Sequence, residues 1–416
     1  MEAIAQLKRG MEVLKVLPDT SERAQQELTL QITLGTPLIA TKGYLPEVEK
    51  VYRRALELCR YVGETPQLFP VLGGLMSFYG MRGELQKAHE LAEQRMRLAQ
   101  SVGDSAFLLD AYRTLGMSLF WLGEFASART HLEQSIALYE SQQRNSPAFL
   151  SLQEPKMHCL SFTAWALWFL GYPDQSLARM SEALTLAQEF PDSYSQAWAL
   201  LVSSELHEHR REEQLTLERV EASITLAGEL GFPAVLAMGT IMRGWALAEH
   251  NQIEEGIIQM KQGLSAYRTM GVALQGPHSL ALLAEVYGKV GQAEEGLSTV
   301  SEALMLVNKT GERVWEAELY RLRGELTLAQ SSVQRLESSV QEEAEGCFLK
   351  AIDTARKQQS KSWELRASTS LARLWQQQGK RAEAHKLLSD VYNWFTEGFD
   401  TKDLQEAKEL LAELND

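Results

Sequence analysis

The chain has 416 residues, with 41 Lys+Arg against 55 Asp+Glu and a formal net charge of −14. Its 45% hydrophobic and 23% charged residues are ordinary globular usage, which excludes wholesale disorder. No stretch of 18 apolar residues is present, the start lacks a secretory apolar core, and Cys59, Cys159 and Cys347 are too widely spaced for a disulfide or metal framework. A reducing cytoplasm is therefore the expected location, with no membrane partner. The acidic balance also argues against broad nucleic-acid binding.

In chain order, residues 3–17 (AIAQLKRGMEVLKVL) read as the second helix of a repeat whose first helix is missing. The expected division assigns residues 1–19 to this partial repeat. Residues 20–399 follow as a solenoid. Its register is set by one slot that recurs at Ala55, Arg95, Ser135, Ala183, Ser223, Gly263, Ala303, Ala351 and Val391. The steps are 40, 40, 48, 40, 40, 40, 48 and 40, a regularity that marks an internal repeat. Eight residues after the slot stand Gly63, Gly103, Gly231, Gly271 and Gly311, as a left-handed helix C-terminus favours.

Each unit reads as two antiparallel helices, A and B. In the third unit helix A is expected over 105–122, with Asp104 as its N-cap and Tyr112, Leu115, Leu119 and Leu122 at helical spacing. Gly123-Glu124 is the turn, and helix B carries Phe125, Ala128, Leu132 and Ile136 on one face. Gly116 and Ala128 are small where the two helices must approach closely. The 48-residue steps place insertions near 141–155 and 331–341. Asp400-Thr401 would cap a last, charged helix, so residues 400–416 are expected to be a C-terminal capping helix. The fold class is all-α: a right-handed α-solenoid of about nine repeats. In such an array contacts run between neighbouring units, so low contact order and fast folding are expected.

The chain carries no Gly-x4-Gly-Lys-Ser/Thr loop, no Gly-x-Ser-x-Gly elbow and no His-Glu-x-x-His helix. His207-Glu208-His209 is the densest ligand-like cluster, but residues i and i+2 of a helix point about 200° apart, so packing is the simpler reading. No catalytic residue, metal or cofactor is expected, and the chain by itself is not expected to be an enzyme.

Tyr112, Leu115-Gly116, Leu119, Gly123, Phe125 and Ala128 resemble the tetratricopeptide repeat, here with a 40-residue period. Further segments add a closer likeness, among them Gly63-Glu64-Thr65-Pro66, Arg243-Gly244-Trp245-Ala246 and the tail Trp394-Phe395-Thr396-Glu397-Gly398-Phe399-Asp400-Thr401. They resemble the C-terminal repeat region of bacterial multidomain signalling proteins that carry a class III adenylate/guanylate cyclase or a STAND-type ATPase. No cyclase or ATPase segment is present, so those activities do not carry over.

The resemblance implies that helix A of each unit lines a concave groove. On this register the implied lining includes Arg113, Phe120, Trp121, Trp165, Trp168, Trp198, Glu205, Trp245, Glu285 and Arg321. Aromatic residues cluster between 120 and 245, as interface anchors do. The function this implies is a non-catalytic scaffold or sensor arm. It would bind a protein or peptide in the groove and govern an ATPase or cyclase domain in the same or another chain. The alternative is a free-standing adaptor or co-chaperone-like peptide-binding module.

Overall fold

A computed structural model describes residues 2–63, 66–141, 155–189, 193–330 and 338–415. Most of the two expected insertions (142–154 and 331–337) lies outside these residues, as do Gln143 and Pro191, which stand eight residues after the slot where five other units have glycine. The described residues form twenty α-helices and no strand. After α1 (Glu2–Lys15) come nine A/B pairs. The first five are α2 (Ser21–Lys42) with α3 (Pro46–Val62), α4 (Leu68–Met81) with α5 (Leu85–Val102), α6 (Ser105–Trp121) with α7 (Phe125–Ser141), α8 (Pro155–Leu170) with α9 (Pro173–Glu189), and α10 (Ser193–His209) with α11 (Glu213–Leu230). The remaining four are α12 (Pro233–Glu249) with α13 (Ile253–Thr269), α14 (Gly276–Lys289) with α15 (Ala293–Thr310), α16 (Glu316–Gln330) with α17 (Ser338–Lys357), and α18 (Lys361–Gln377) with α19 (Arg381–Tyr392). α20 (Lys402–Asn415) closes the array against α18 and α19.

All nine residues of the repeat slot are buried, which fixes the register. The polar ones have partners: the Ser135 and Ser223 hydroxyls donate to the carbonyls of Leu109 and Ala197, at 2.9 and 2.7 Å, and the Arg95 guanidinium is paired with Asp110, although its Nε is left without one. The five cap glycines have φ between 71° and 102°. In the same slot Gln359 takes φ 57° without being glycine. Asp104 caps α6 by accepting from the Ala106 N–H at 2.7 Å. Thr401 does not mirror it: its hydroxyl donates to the Gly398 carbonyl at 2.7 Å and closes the turn before α20. A Cβ on Gly116 would sit 2.7 Å from Leu132 Cγ and 3.1 Å from the Ala128 carbonyl, so α6 and α7 are in backbone contact there.

Most helix contacts run between neighbours along the chain, but the array also makes contacts between distant units. The solenoid winds so tightly that its second superhelical turn rests on its first. A helix leaves its last carbonyls without intrahelical partners. At the ends of four successive A helices these carbonyls accept from the second turn. Met81 accepts from the Ala273 N–H (2.8 Å), Trp121 from the Arg313 N–H (2.9 Å), Phe169 from the Ser360 hydroxyl (3.0 Å) and His209 from the Arg366 guanidinium (2.5 Å). The acceptors recur at steps of 40, 48 and 40, the repeat period itself.

The tail sequence has a physical role in this stacking. The Glu397 carboxylate accepts from the backbone N–H groups of Asp174 and Gln175, both at 3.0 Å, and so caps the N-terminus of α9 from 222–223 residues away. Gly398 donates back to Asp174 Oδ2 at 3.1 Å, and Trp394 packs edge-on to Tyr172. Gly398 has φ 75°, and a Cβ there would meet Pro173 Cγ at 2.0 Å, so only glycine fits.

Candidate functional site

Tight winding decides which of the groove candidates face open space. Phe120, Trp121, Trp165, Trp168, Trp245 and Glu205 are each 8% exposed or less; Arg113, Trp198, Glu285 and Arg321 are partly buried. The aromatic section is a core. Phe120 stacks on Trp165 (5.7 Å), which packs edge-on to Phe162 and Trp121. Trp168 and Phe169 meet Trp363 of the second turn at 5.1 and 5.6 Å, and Trp363 in turn meets Trp315. The Trp165 indole N–H donates to the Val202 carbonyl at 3.3 Å. Trp198 lies against the buried His158 ring, with centroids 4.0 Å apart. Large apolar surface on the inner face of A helices closes on itself once two turns are in register.

Arg113 serves a separate buried network. It holds Asp110 at 2.5 Å, together with Arg95. Burial opposes ionisation of Asp110, but the Arg113 and Arg95 guanidinium groups outweigh it and hold the carboxyl below its ordinary range. Glu205 is also apart from open space: it accepts from the Gln275 side-chain amide at 2.8 Å. Burial, and then the neighbouring Glu208 charge, push its pKa well up.

Open space lies further along, where the A helices of the last five units converge with α20. A cavity of about 360 Å³ is walled there by Trp245, Glu285, Lys289, Glu318, Arg321 and Glu325 on one side. Arg211, Arg366, Arg373, Asp403, Glu406 and Glu208 also line it, with smaller and apolar residues such as Leu322 and Leu326 between them. Of the ten groove candidates it contains Trp245, Glu285 and Arg321; the other seven lie elsewhere. Trp245, Glu285, Glu325 and Arg373 occupy one equivalent position of successive units, at steps of 40, 40 and 48. The repeat thus aims one position per unit at the same space.

The wall is an ordered lattice of charge. The Trp245 indole N–H donates to Glu285 (3.2 Å), and Lys289 pairs with Glu285 (3.2 Å) and Glu249. Arg321 grips Glu318 (2.7 Å) and reaches Glu325, which also accepts from Ser370 (2.6 Å). Across the cavity Arg366 pairs with Asp403 (2.7 Å), Arg211 with Glu406 (2.7 Å) and Asp403 (3.3 Å), and Arg373 with Glu406 (3.1 Å). Burial disfavours the charged forms, but Lys289 and Arg321 hold Glu285 below its ordinary range, and Arg211 and Arg373 do the same for Glu406. Six carboxylates and five basic side chains line the space. Such a wall offers donors and acceptors side by side, which suits an occupant that carries both.

Arg211, which the sequence reads as part of a solvated, mixed-charge turn, and Glu318, Asp403 and Glu406 lie outside the expected groove lining. Arg211 carried a signal: it stands in the A–B turn slot held elsewhere by Gly123, Gly171 and Gly291, and takes φ 60°. Glu318 shares a helix face with Arg321 and Glu325. Asp403 and Glu406 gave none, because a charged cap helix reads as solvated. Deep in the wall, Glu208 accepts from His209 and from His278 of α14. His207 turns away to Glu212, at 2.6 Å.

Comparison with known proteins supports the repeat. Residues 108–141 and 157–182 match family models described as tetratricopeptide repeat. An uncharacterized protein of Rhizobium meliloti (strain 1021) is 23% identical over 328 residues, covering 78% of this chain and 32% of the relative. The chain thus spans about a third of the length of that curated relative. Among solved structures, a Rap protein complexed with competence and sporulation factor is 14% identical over 95% of this chain and 100% of its own, with a TM-score of 0.60. The Rap conjugation gene regulator of plasmid pLS20, in complex with the Phr* peptide, is 10% identical over 93% of this chain and 96% of its own, with a TM-score of 0.54. The Cut9-Hcn1 hetero-tetramer of APC/C is similar over 99% of this chain and 67% of that one, at 12% identity and a TM-score of 0.53. At these identities the likeness is one of fold. The chain carries tetratricopeptide repeats within an all-α solenoid.

Proposed function

We propose that this chain is a non-catalytic sensor arm that binds a short peptide, or an exposed segment of a protein partner, in the charged cavity. On this reading it governs an ATPase or nucleotidyl cyclase domain in the same or another chain, in the cytoplasm. The observation that carries the reading is the convergence of Trp245, Glu285, Glu325 and Arg373, one equivalent position from each of four units, on a single cavity. A peptide supplies both charges and both hydrogen-bonding roles, so it can replace ion pairs within the wall without leaving a buried charge alone. At about 360 Å³ the space is within the usual range of ligand pockets, about 300–1,000 Å³. Two solved structures with this fold are complexes with a signalling factor or a peptide, which supports a peptide occupant. The much longer curated relative supports attachment to further domains.

The test is a thermal-shift screen of short peptides with free termini. A peptide present at a hundred times its Kd stabilises by about 2.7 kcal/mol. Some peptides are expected to raise the melting temperature of the wild type, and to lose that effect in Glu325→Gln/Arg373→Gln. If no peptide shifts the wild type, or if the double variant responds equally, the reading fails.

A further inference from the structure

Behind the cavity wall lies a buried cluster of which only Glu208 borders the space. Glu208 and His209 come from the last turn of α10, and His278 from the first turn of α14, 70 residues later. Glu208 Oε2 lies 2.7 Å from His209 Nδ1 and 3.2 Å from His278 Nε2. One ligand atom from each residue falls within 4.8 Å of the other two. Around a tetrahedral zinc ion, with bonds of about 2.0–2.1 Å, ligand atoms stand about 3.3–3.4 Å apart, so the three reach that spacing by side-chain shifts of about 1–1.5 Å or less.

Their rings are already held. His278 stacks on Trp315 at 4.0 Å and 7°, and His209 packs edge-on to Trp315 at 5.1 Å and against Trp168 at 5.0 Å. All three residues are 1–3% exposed. Glu208 is also part of the cavity wall, so the cluster borders that space. Arg366, whose guanidinium donates to the His209 carbonyl, is matched by Asp403.

We propose that Glu208, His209 and His278 bind one divalent cation of the zinc class, with two imidazoles and one carboxylate as ligands and the fourth position open to the cavity. Sequence spacing hides this site, because His207 and His209 diverge along α10 and the second imidazole comes from another repeat. Two nitrogens and one oxygen suit zinc and its neighbours rather than magnesium or calcium, which take oxygen ligands. The ion would tie the A helices of the fifth and seventh units together. The proposal stands independently of any peptide.

The test is titration of the chelator-treated full chain with Zn²⁺ alone, followed by calorimetry, and with Co²⁺, followed by absorption. One equivalent of Zn²⁺ per chain is expected, with tetrahedral ligand-field bands for Co²⁺ and no thiolate charge-transfer band. Glu208→Gln and His278→Gln should weaken binding more than about tenfold with helical content unchanged, whereas His207→Gln should bind as wild type does. Absence of a stoichiometric site in the wild type, a thiolate band, or equal binding by folded Glu208→Gln and His278→Gln would overturn the proposal. If those variants do not fold, the wild-type stoichiometry and cobalt spectrum decide the question by themselves.

Discussion

Replacing Trp363 by Ala would test whether the two superhelical turns fold as one body. Trp363 is 1% exposed and belongs to the ninth unit, yet its ring lies 5.1 Å from Trp168 and 5.6 Å from Phe169 of the fourth. Its indole N–H donates to the Val314 carbonyl at 3.0 Å, and Arg366 lies over the ring at 5.0 Å. Deleting a buried Trp side chain costs about 3–5 kcal/mol. The Val314 carbonyl left without its donor adds about 1–3 kcal/mol if no water reaches it. A loss of about 4–8 kcal/mol is therefore expected. Trp363→Phe keeps an aromatic ring and should lose about 1–2 kcal/mol, largely from the missing hydrogen bond.

The informative measurement is native-state hydrogen exchange read by peptide. In a linear solenoid each unit supports only its neighbours, so damage to the ninth unit should stay near residues 345–392. If the turns are coupled as the structure shows, residues 162–170 lose protection together with 363–374, although about 190 residues separate them. Unchanged protection at 162–170, with 363–374 fully opened, would refute the coupling. Full protection of both would refute the magnitude.

Two further outcomes can be checked by urea denaturation. Gly116→Leu places side-chain atoms where a Cβ alone already stands 2.7 Å from Leu132, so overpacking of about 1–3 kcal/mol is expected; stability equal to wild type would show that α6 and α7 part freely. Burial raises the Glu312 carboxyl from its ordinary 4.5 to about 8, against a backbone hydrogen bond from Gln275 that lowers it. The folded state thus holds this proton more tightly than the unfolded state. Glu312 costs nothing below pH 4.5, and its penalty grows as pH rises from 4.5 to 8. At about 1.4 kcal/mol per pH unit the full swing is about 5 kcal/mol, of which about 3–4 falls between pH 5 and 8. Wild type should lose that much more stability than Glu312→Gln over this interval, and parallel pH profiles would contradict it.

Much of the fold is legible because helix pairs obey local rules. The slot from Ala55 to Val391 recurs since one position per unit must fit between helices A and B, and all nine residues are buried. The cap glycines are legible because few other residues adopt positive φ cheaply. The cavity is legible only in part. Trp245, Glu285 and Arg321 follow from the repeat register, whereas Asp403 and Glu406 look like any solvated helix face.

What the sequence by itself determined is the period, the helix pairs and the inward-facing positions, each a matter of a few residues and a few ångströms. The pitch was decided by tertiary structure, because it sums small rotations over several units and no local motif encodes it. That pitch brings Ser360 to Phe169 and Glu397 to the start of α9. It turns Phe120, Trp165 and Trp168 from candidate groove anchors into core, and leaves a cavity where charged residues converge. The same winding sets His278 beside Glu208, a contact across 70 residues that spacing along one helix cannot show.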